Sequence, residues 1–408
     1  MDPEVVKLNS GLRVVYEQHN SIASHAGFFI DCGTRDEKQD EFGMAHFIEH
    51  CLFKGTSNRK AFHVLSRIDN VGGELNAFTS KEDTVIHASF LAEHTQRSVE
   101  LLSDITFNSI FPDREITKEK LIVIDEIYAY QDSPGEQIYD DFEDQLFADH
   151  PLGHNILGTL DNIKRFNRSS LIDFYSRNYT PSNIIFSYSG PESLDKIVRL
   201  LEKYTPAGSD RNAIKSPSKL NYKPQQVVSK RDVNQAHLMM GNVAYDSHHE
   251  NRRALVLLNN ILGGPAMNSR LNLNISEKYG FAYHLESAFV SYADTGLFSV
   301  YLGTEPKYLD KSIKLIHREL NKLANKKLGP IQLNQAKQQL KGQLSLARES
   351  GLNTMLAMGK SLLNYNEVDT LEDVFDQIES ITAEQLQDVA ADIFNPDQMS
   401  SLIFEPNN

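Results

Sequence analysis

The chain has 408 residues, a formal net charge of -14, 40% hydrophobic residues and 24% charged ones. That length exceeds one ordinary domain, so two or three are expected, with apolar content sufficient for real cores. The acidic balance, with no Lys/Arg run longer than a dipeptide, argues against nucleic acid or an anionic membrane surface as the main partner.

The opening Met1-Asp2-Pro3-Glu4 has neither the basic nor the apolar region of a signal peptide, and lacks the Arg and Ser of a transit peptide. No apolar run approaches the roughly 18 residues of a membrane span. Cys32 and Cys51 are too few for a disulfide framework and suggest a reducing compartment. A soluble, cytoplasmic protein is the expectation.

Residues 3 to 17 read as a hairpin around Asn9-Ser10-Gly11, and Ala26 to Asp31 as a further strand. Phe42 to Phe53 has helical periodicity, closed by Gly55. Within it stands His46-Phe47-Ile48-Glu49-His50. Histidines four apart emerge from one helix face, with Glu49 beside them. Two imidazoles and a carboxylate suit a zinc site with a base for water, in the order H-x-x-E-H. The alternative is a helix whose histidines only cap or pack. Cys51 points about 100° away from His50 around the helix and reads as core rather than as a ligand.

A short helix over 62–71 follows, then a Gly72-Gly73 turn into a strand from Glu74 to Ser80 and its partner from Thr84 to Phe90. Helices are predicted over 93–108 and 114–131, a strand over 183–189 and a helix over 194–204. The Pro/Ser/Gly-rich stretch 206–224 reads as a linker. Beyond it come a strand near 236–242, helices over 251–262 and 269–277, and strands over 283–290 and 296–304. Helices over 306–326 and 330–348 and a strand over 400–404 complete the chain. Both halves repeat one order of elements, which suggests an internal duplication. The expected fold is therefore α+β, with a domain at 1–205 carrying the candidate site and a second at 225–408.

A zinc peptidase site needs a third ligand. The helix over 114–131 offers Glu119 and Glu126, two turns apart on one face. Such a pair on its own is usually just a solvated stripe.

The stretch from His46 to Thr56 resembles the active-site helix of the pitrilysin/insulinase family of zinc metallopeptidases, in the short-chain branch that includes mitochondrial processing peptidase and bacterial relatives. Further stretches fit that family in order: Gly73 to Ser80, the pair Glu119 and Glu126, His150 to Gly153 with Ile156-Leu157-Gly158, Leu262-Gly263-Gly264, and Glu277 to Tyr283. The resemblance spans about residues 5 to 405. It implies two similar α/β-sandwich domains, each a mostly antiparallel sheet with helices, forming half of a clamshell, and a bacterial origin. It also implies one zinc per chain, held by His46, His50 and Glu126. Glu49 is then the general base and Glu119 a carboxylate that orients the site.

The family binds peptide as an added strand on a sheet edge, here Leu75 to Ser80, with Asn76, Ala77 and Phe78 as contacts. It also places an Arg and a Tyr seven residues apart to hold the substrate. Tyr283 fits the Tyr, but Ser276 stands where the Arg belongs, and Tyr279 replaces a second one. The chain is accordingly expected to pair as a homodimer, or as a heterodimer with a related subunit supplying an Arg/Tyr pair. Two alternatives stand beside a zinc endopeptidase: a subunit of a heterodimeric processing peptidase, and a non-catalytic structural homologue.

Overall fold

A computed structural model describes residues 2–208 and 218–407, so residues 209–217 of the expected linker lie outside the described residues. The chain forms two compact units.

The first unit holds β1 (Glu4–Lys7), β2 (Arg13–Gln18), β3 (Ala23–Ile30), β4 (Glu74–Thr79), β5 (Thr84–Leu91) and β6 (Ile184–Gly190), in the order β1-β2-β6-β3-β5-β4. β2 and β6 are parallel, and the other pairs antiparallel. The central strands read as near-continuous apolar runs because both faces of the sheet are covered. Val14, Phe28, Ile86 and Phe186 face one core, shared with α1 (Met44–Leu52), α2 (Ala61–Asp69), α3 (Thr95–Asn108) and α4 (Asp113–Gln131). Their neighbours Val15, Phe29, Val85 and Ile185 face a second core with Met355, Met358 and Leu362 of the helix Gly351–Tyr365. That helix lies so close that a Cβ on Gly359 would stand 2.3 Å from the Phe29 ring.

The second unit repeats the plan. Strands β7 (Gln226–Arg231), β8 (Ala236–Ala244), β9 (Ala282–Ser291), β10 (Gly296–Thr304) and β11 (Ser400–Pro406) lie in the order β7-β11-β8-β10-β9. Again one pair is parallel, β7 with β11, and the others antiparallel. Helices Arg252–Gly263, Leu309–Asn325 and Ala383–Ile393 cover one face. Ile138, Phe142 and Leu146 of α5 (Pro134–Leu146) cover the other, against Met239, Tyr301 and Phe404.

The packing units differ from a division into 1–205 and 225–408. Residues Ala129–Gly153 belong to the second unit, and Leu346–Thr370 to the first. Each of these segments carries a helix whose apolar stripe needs a sheet face, and the face available lies in the other half of the chain. Neither helix is among the predicted elements. The helix expected over 269–277 is present over 270–279, with a π-helical turn inside it at Asn272–Glu277.

Candidate active site

α1 is anchored by Met44, Ala45, Phe47, Ile48, Cys51 and Leu52, all buried, so only one narrow face remains for His46, Glu49 and His50. The position of Cys51 in the core agrees with its reading as a packing residue. α4 is held by Ile116, Val123 and Ile127, which turns Glu119 inward and leaves Glu126 at the surface of the site.

The two helices bring together three of the expected residues. His46 Nε2 lies 3.8 Å from Glu126 Oε1, and His50 Nε2 lies 3.4 Å from Glu126 Oε2. One ligand atom from each of the three residues falls within 4.8 Å of the others. Tetrahedral zinc with bonds of about 2.0–2.2 Å separates its ligand atoms by about 3.3–3.6 Å. Glu126 Oε2 is moreover a buried acceptor that, among the described residues, no donor meets in hydrogen-bond geometry, His50 Nε2 at 3.4 Å included. A cation among these atoms would satisfy it, so the donor set fits zinc.

Glu119 joins from the side. Its Oε2 lies 3.4 Å from His50 Nδ1, while Oε1 takes an ion pair from Lys54 Nζ at 2.9 Å. It thus fixes the imidazole from the nitrogen opposite the one near Glu126, as carboxylates behind metal-binding histidines do.

Burial, reinforced by the neighbouring His50, lowers the His46 imidazolium to about 4, which favours the neutral form. Burial also opposes charge on His50, but Glu119 and Glu126 outweigh it and raise that group to about 9. Burial pushes the Glu49 carboxyl up, partly offset by Thr79 and His50. Glu119 is held below the usual carboxylate range because His50 and Lys54 overcome its burial. His50 holds Glu126 low against its own burial.

β4 is an edge strand of its sheet. Thr79 Oγ1, at its end, donates to Glu49 Oε2 at 2.7 Å. Leu75 and Ala77 pack toward the core beneath α1, whereas Phe78 packs on the opposite face with the helix Gly351–Tyr365. Asn76 is exposed, and its Oδ1 accepts from the Ala77 N–H at 2.9 Å. The Asn76 and Phe78 side chains therefore stand on alternate positions from Thr79, and the strand's backbone rather than those side chains is what the edge offers beside Glu49.

Tyr283 belongs to the second unit. It is 65% exposed on edge strand β9, and its hydroxyl donates to Glu305 Oε1 at 3.3 Å. Ser276 lies in the π-helical turn, and Tyr279 stacks on Phe281. Sequence reasoning assigned no role to Thr79 or Lys54. Both had a readable signal, since Lys54 is four residues past His50 and Thr79 alternates with Leu75 and Ala77.

Comparison with known proteins places this site in a family. Residues 13–160 match the model of insulinase (peptidase family M16), and residues 165–340 that of the peptidase M16 inactive domain. An uncharacterized zinc protease of Bacillus subtilis strain 168, YmxG, is 33% identical over 400 residues, covering 98% of this chain and 97% of its own. One from Rickettsia felis is 30% identical over 405 residues, covering 98% and 97%. In fold, the chain resembles a protease from Helicobacter pylori with a TM-score of 0.93 at 24% identity, covering 99% of this chain and 100% of that one. Two histidines, a glutamate and full-length likeness to zinc proteases lead to one conclusion: the chain belongs to the insulinase (M16) family of peptidases.

Proposed function

We propose that this chain is a zinc-dependent endopeptidase that cleaves unfolded peptides or small polypeptides. The observation carrying the reading is the convergence of His46, His50 and Glu126 beside Glu49 and an unpaired sheet edge. Zinc held by His46, His50 and Glu126 would supply Lewis acidity, acidifying water and polarising the scissile carbonyl. Glu49 takes the proton from the attacking water and delivers it to the leaving amine. Thr79 keeps the Glu49 carboxylate turned to that task. The outer edge of β4 takes the peptide as an added strand, with Asn76 releasing the Ala77 N–H to it.

The substrate clamp is the finer part of the proposal. Tyr283 serves a facing copy or a related subunit, and Ser276 favours a partner that brings the guanidinium, because serine carries neither its charge nor its fork of donors. Two facing chains would enclose the substrate in a chamber. The compartment we propose is the bacterial cytoplasm, supported by two free buried cysteines and by bacterial relatives. Among the described residues no helix is long and apolar enough to cross a membrane.

Cleavage of an unstructured peptide by the zinc-loaded chain, abolished in Glu49→Gln with zinc retained, tests the chemistry. Undiminished cleavage by that variant would overturn it. Size-exclusion and activity assays with Ser276→Arg test the clamp. Full activity of the wild-type homodimer, unchanged by the substitution, would remove the need for a second subunit.

A further inference from the structure

We propose that Glu37 is a positioning residue for the metal-binding helix, its buried carboxylate gripping the first turn of α1 and setting where His46 and Glu49 stand. The inference rests on the peptidase reading above and deepens it.

A helix begins with backbone N–H groups that lack intrahelical partners, commonly satisfied by a Ser, Thr, Asp or Asn side chain at the cap. α1 has no such residue. Its cap is Gly43, in a left-handed conformation with φ 93°. The acceptor comes instead from six residues upstream. Glu37 Oε2 accepts from the Gly43 N–H at 2.9 Å, and Oε1 accepts from the Ala45 N–H at 2.7 Å. Ala45 directly precedes His46, so the second bond ends one residue from a proposed ligand. Burial pushes the Glu37 carboxyl well above its ordinary value, and the Ala45 and Gly43 N–H groups, at the positive end of the helix dipole, act against that rise.

The carboxylate is itself held. Its side chain is fully buried, and Oε2 lies 3.1 Å from His154 Nε2. The His154 ring stacks on Phe42 at 3.9 Å, and the buried Lys81 Nζ donates to the His154 carbonyl at 2.6 Å. The same loop presses on the cap from behind. A Cβ on Gly158 would stand 2.3 Å from the Phe42 carbonyl oxygen, and one on Gly43 2.7 Å from that of Leu157. Only two glycines in left-handed conformations (φ 93° and 73°) allow this backbone contact. The Ile156-Leu157-Gly158 stretch, which carries no chemistry of its own, thus acquires a task.

A cap placed for stability alone could stand at any helix. This one ties the ligand-bearing turn to a fixed water-excluded anchor, while Glu119 and Lys54 tie the other end. Ligand groups must be held to within about 0.5 Å to work, and supporting groups of this kind typically change metal affinity or activity by about 10–100-fold.

The test compares full-length wild-type protein with Glu37→Gln, whose amide keeps one acceptor oxygen and presents an NH2 group to the other helix N–H. Zinc affinity is measured by competition with a chelating indicator, the ligand field by the visible spectrum of the cobalt(II)-loaded protein, and turnover on an unstructured peptide. Expected are zinc affinity at least about 10-fold weaker, a shifted cobalt band, and a fall in kcat with KM little changed. Wild-type affinity and spectrum in the variant overturn the proposal, whatever its melting temperature, because Glu37 is then only a stabilising cap. Should Glu37→Gln not fold, Glu37→Asp keeps the acid but draws it back by one methylene from the Gly43 and Ala45 N–H groups; unchanged affinity and spectrum there overturn it equally. Affinity and spectrum do not depend on cleavage, so a wild-type chain that binds zinc but cuts no peptide overturns the functional reading alone. A wild-type chain that binds no zinc overturns both.

Discussion

Replacing Thr79 with valine removes a single hydroxyl from the end of β4 while keeping the shape of the side chain. That hydroxyl donates to Glu49 at 2.7 Å, and it counteracts the burial that raises the Glu49 carboxyl. A hydrogen bond to an ionised group contributes about 1.5–3 kcal/mol, and one pKa unit corresponds to about 1.4 kcal/mol. Because the hydroxyl can turn to accept from the neutral acid, the low end applies, giving a rise of about one unit. A general base works only when ionised, so activity is present above its pKa and lost as pH falls through it. The acid limb of kcat/KM for Thr79→Val is therefore expected to move about one unit to higher pH, with the neutral plateau little changed. A fluorogenic peptide assay across the acid range, with zinc content checked at each pH, reads this directly. An acid limb that stays in place refutes the role given to Thr79, and a loss that is uniform with pH points to misfolding or zinc loss instead.

Three further outcomes are expected. Gly359→Ala drives a methyl to 2.3 Å from the Phe29 ring, so the upper end of the overpacking cost, about 3 kcal/mol, applies against a helix gain of about 1 kcal/mol; a net loss of about 2 kcal/mol should lower the thermal midpoint, and an unchanged midpoint contradicts the packing. Lys54→Met leaves the Glu119 carboxylate buried with only His50 beside it, and should destabilise the zinc-free protein by about 2 kcal/mol in urea unfolding at pH 7, where that lowered carboxyl is ionised; a loss below about 0.5 kcal/mol would show the pair to be solvated. Zinc requires a neutral His50, whose cation Glu119 and Glu126 raise to about 9 against its burial, so binding near neutral pH should release about one proton, seen by calorimetry in buffers of different ionisation enthalpy, and apparent affinity should strengthen as pH rises toward that value. Affinity independent of pH in this range excludes the raised value.

What could be read beforehand were the features set by short-range periodicity. His46 with His50, and Glu119 with Glu126, declare their shared faces through helical spacing, and the alternation of Leu75, Ala77 and Thr79 declares a strand, whose place at the sheet edge came only from the family resemblance. Unread were the partnerships joining distant segments. Nothing local to Glu37 marks it as the cap of a helix that starts at Met44, and Gly43 gives a cap position with no side chain to identify it. α5 is a different case. Ser133-Pro134 is an ordinary helix start, and Ile138, Phe142 and Leu146 form a stripe at four-residue spacing, so the element itself was legible. Its destination was not, because an apolar stripe does not say which sheet it will cover.

The exchanged helices also set a schedule for synthesis. By the time β6 has been made at Gly190, all six strands of the first sheet exist, but the helix that covers Val15, Phe29, Val85 and Ile185 ends at Tyr365. At about 5–20 residues per second that interval is on the order of 10–35 s. A first sheet formed within it would show a face of valine, isoleucine and phenylalanine without the helix that buries it in the folded protein. A chaperone that binds apolar strands would find its longest opportunity there, and a ribosome stalled before Leu346 would release a chain with one sheet still half dressed.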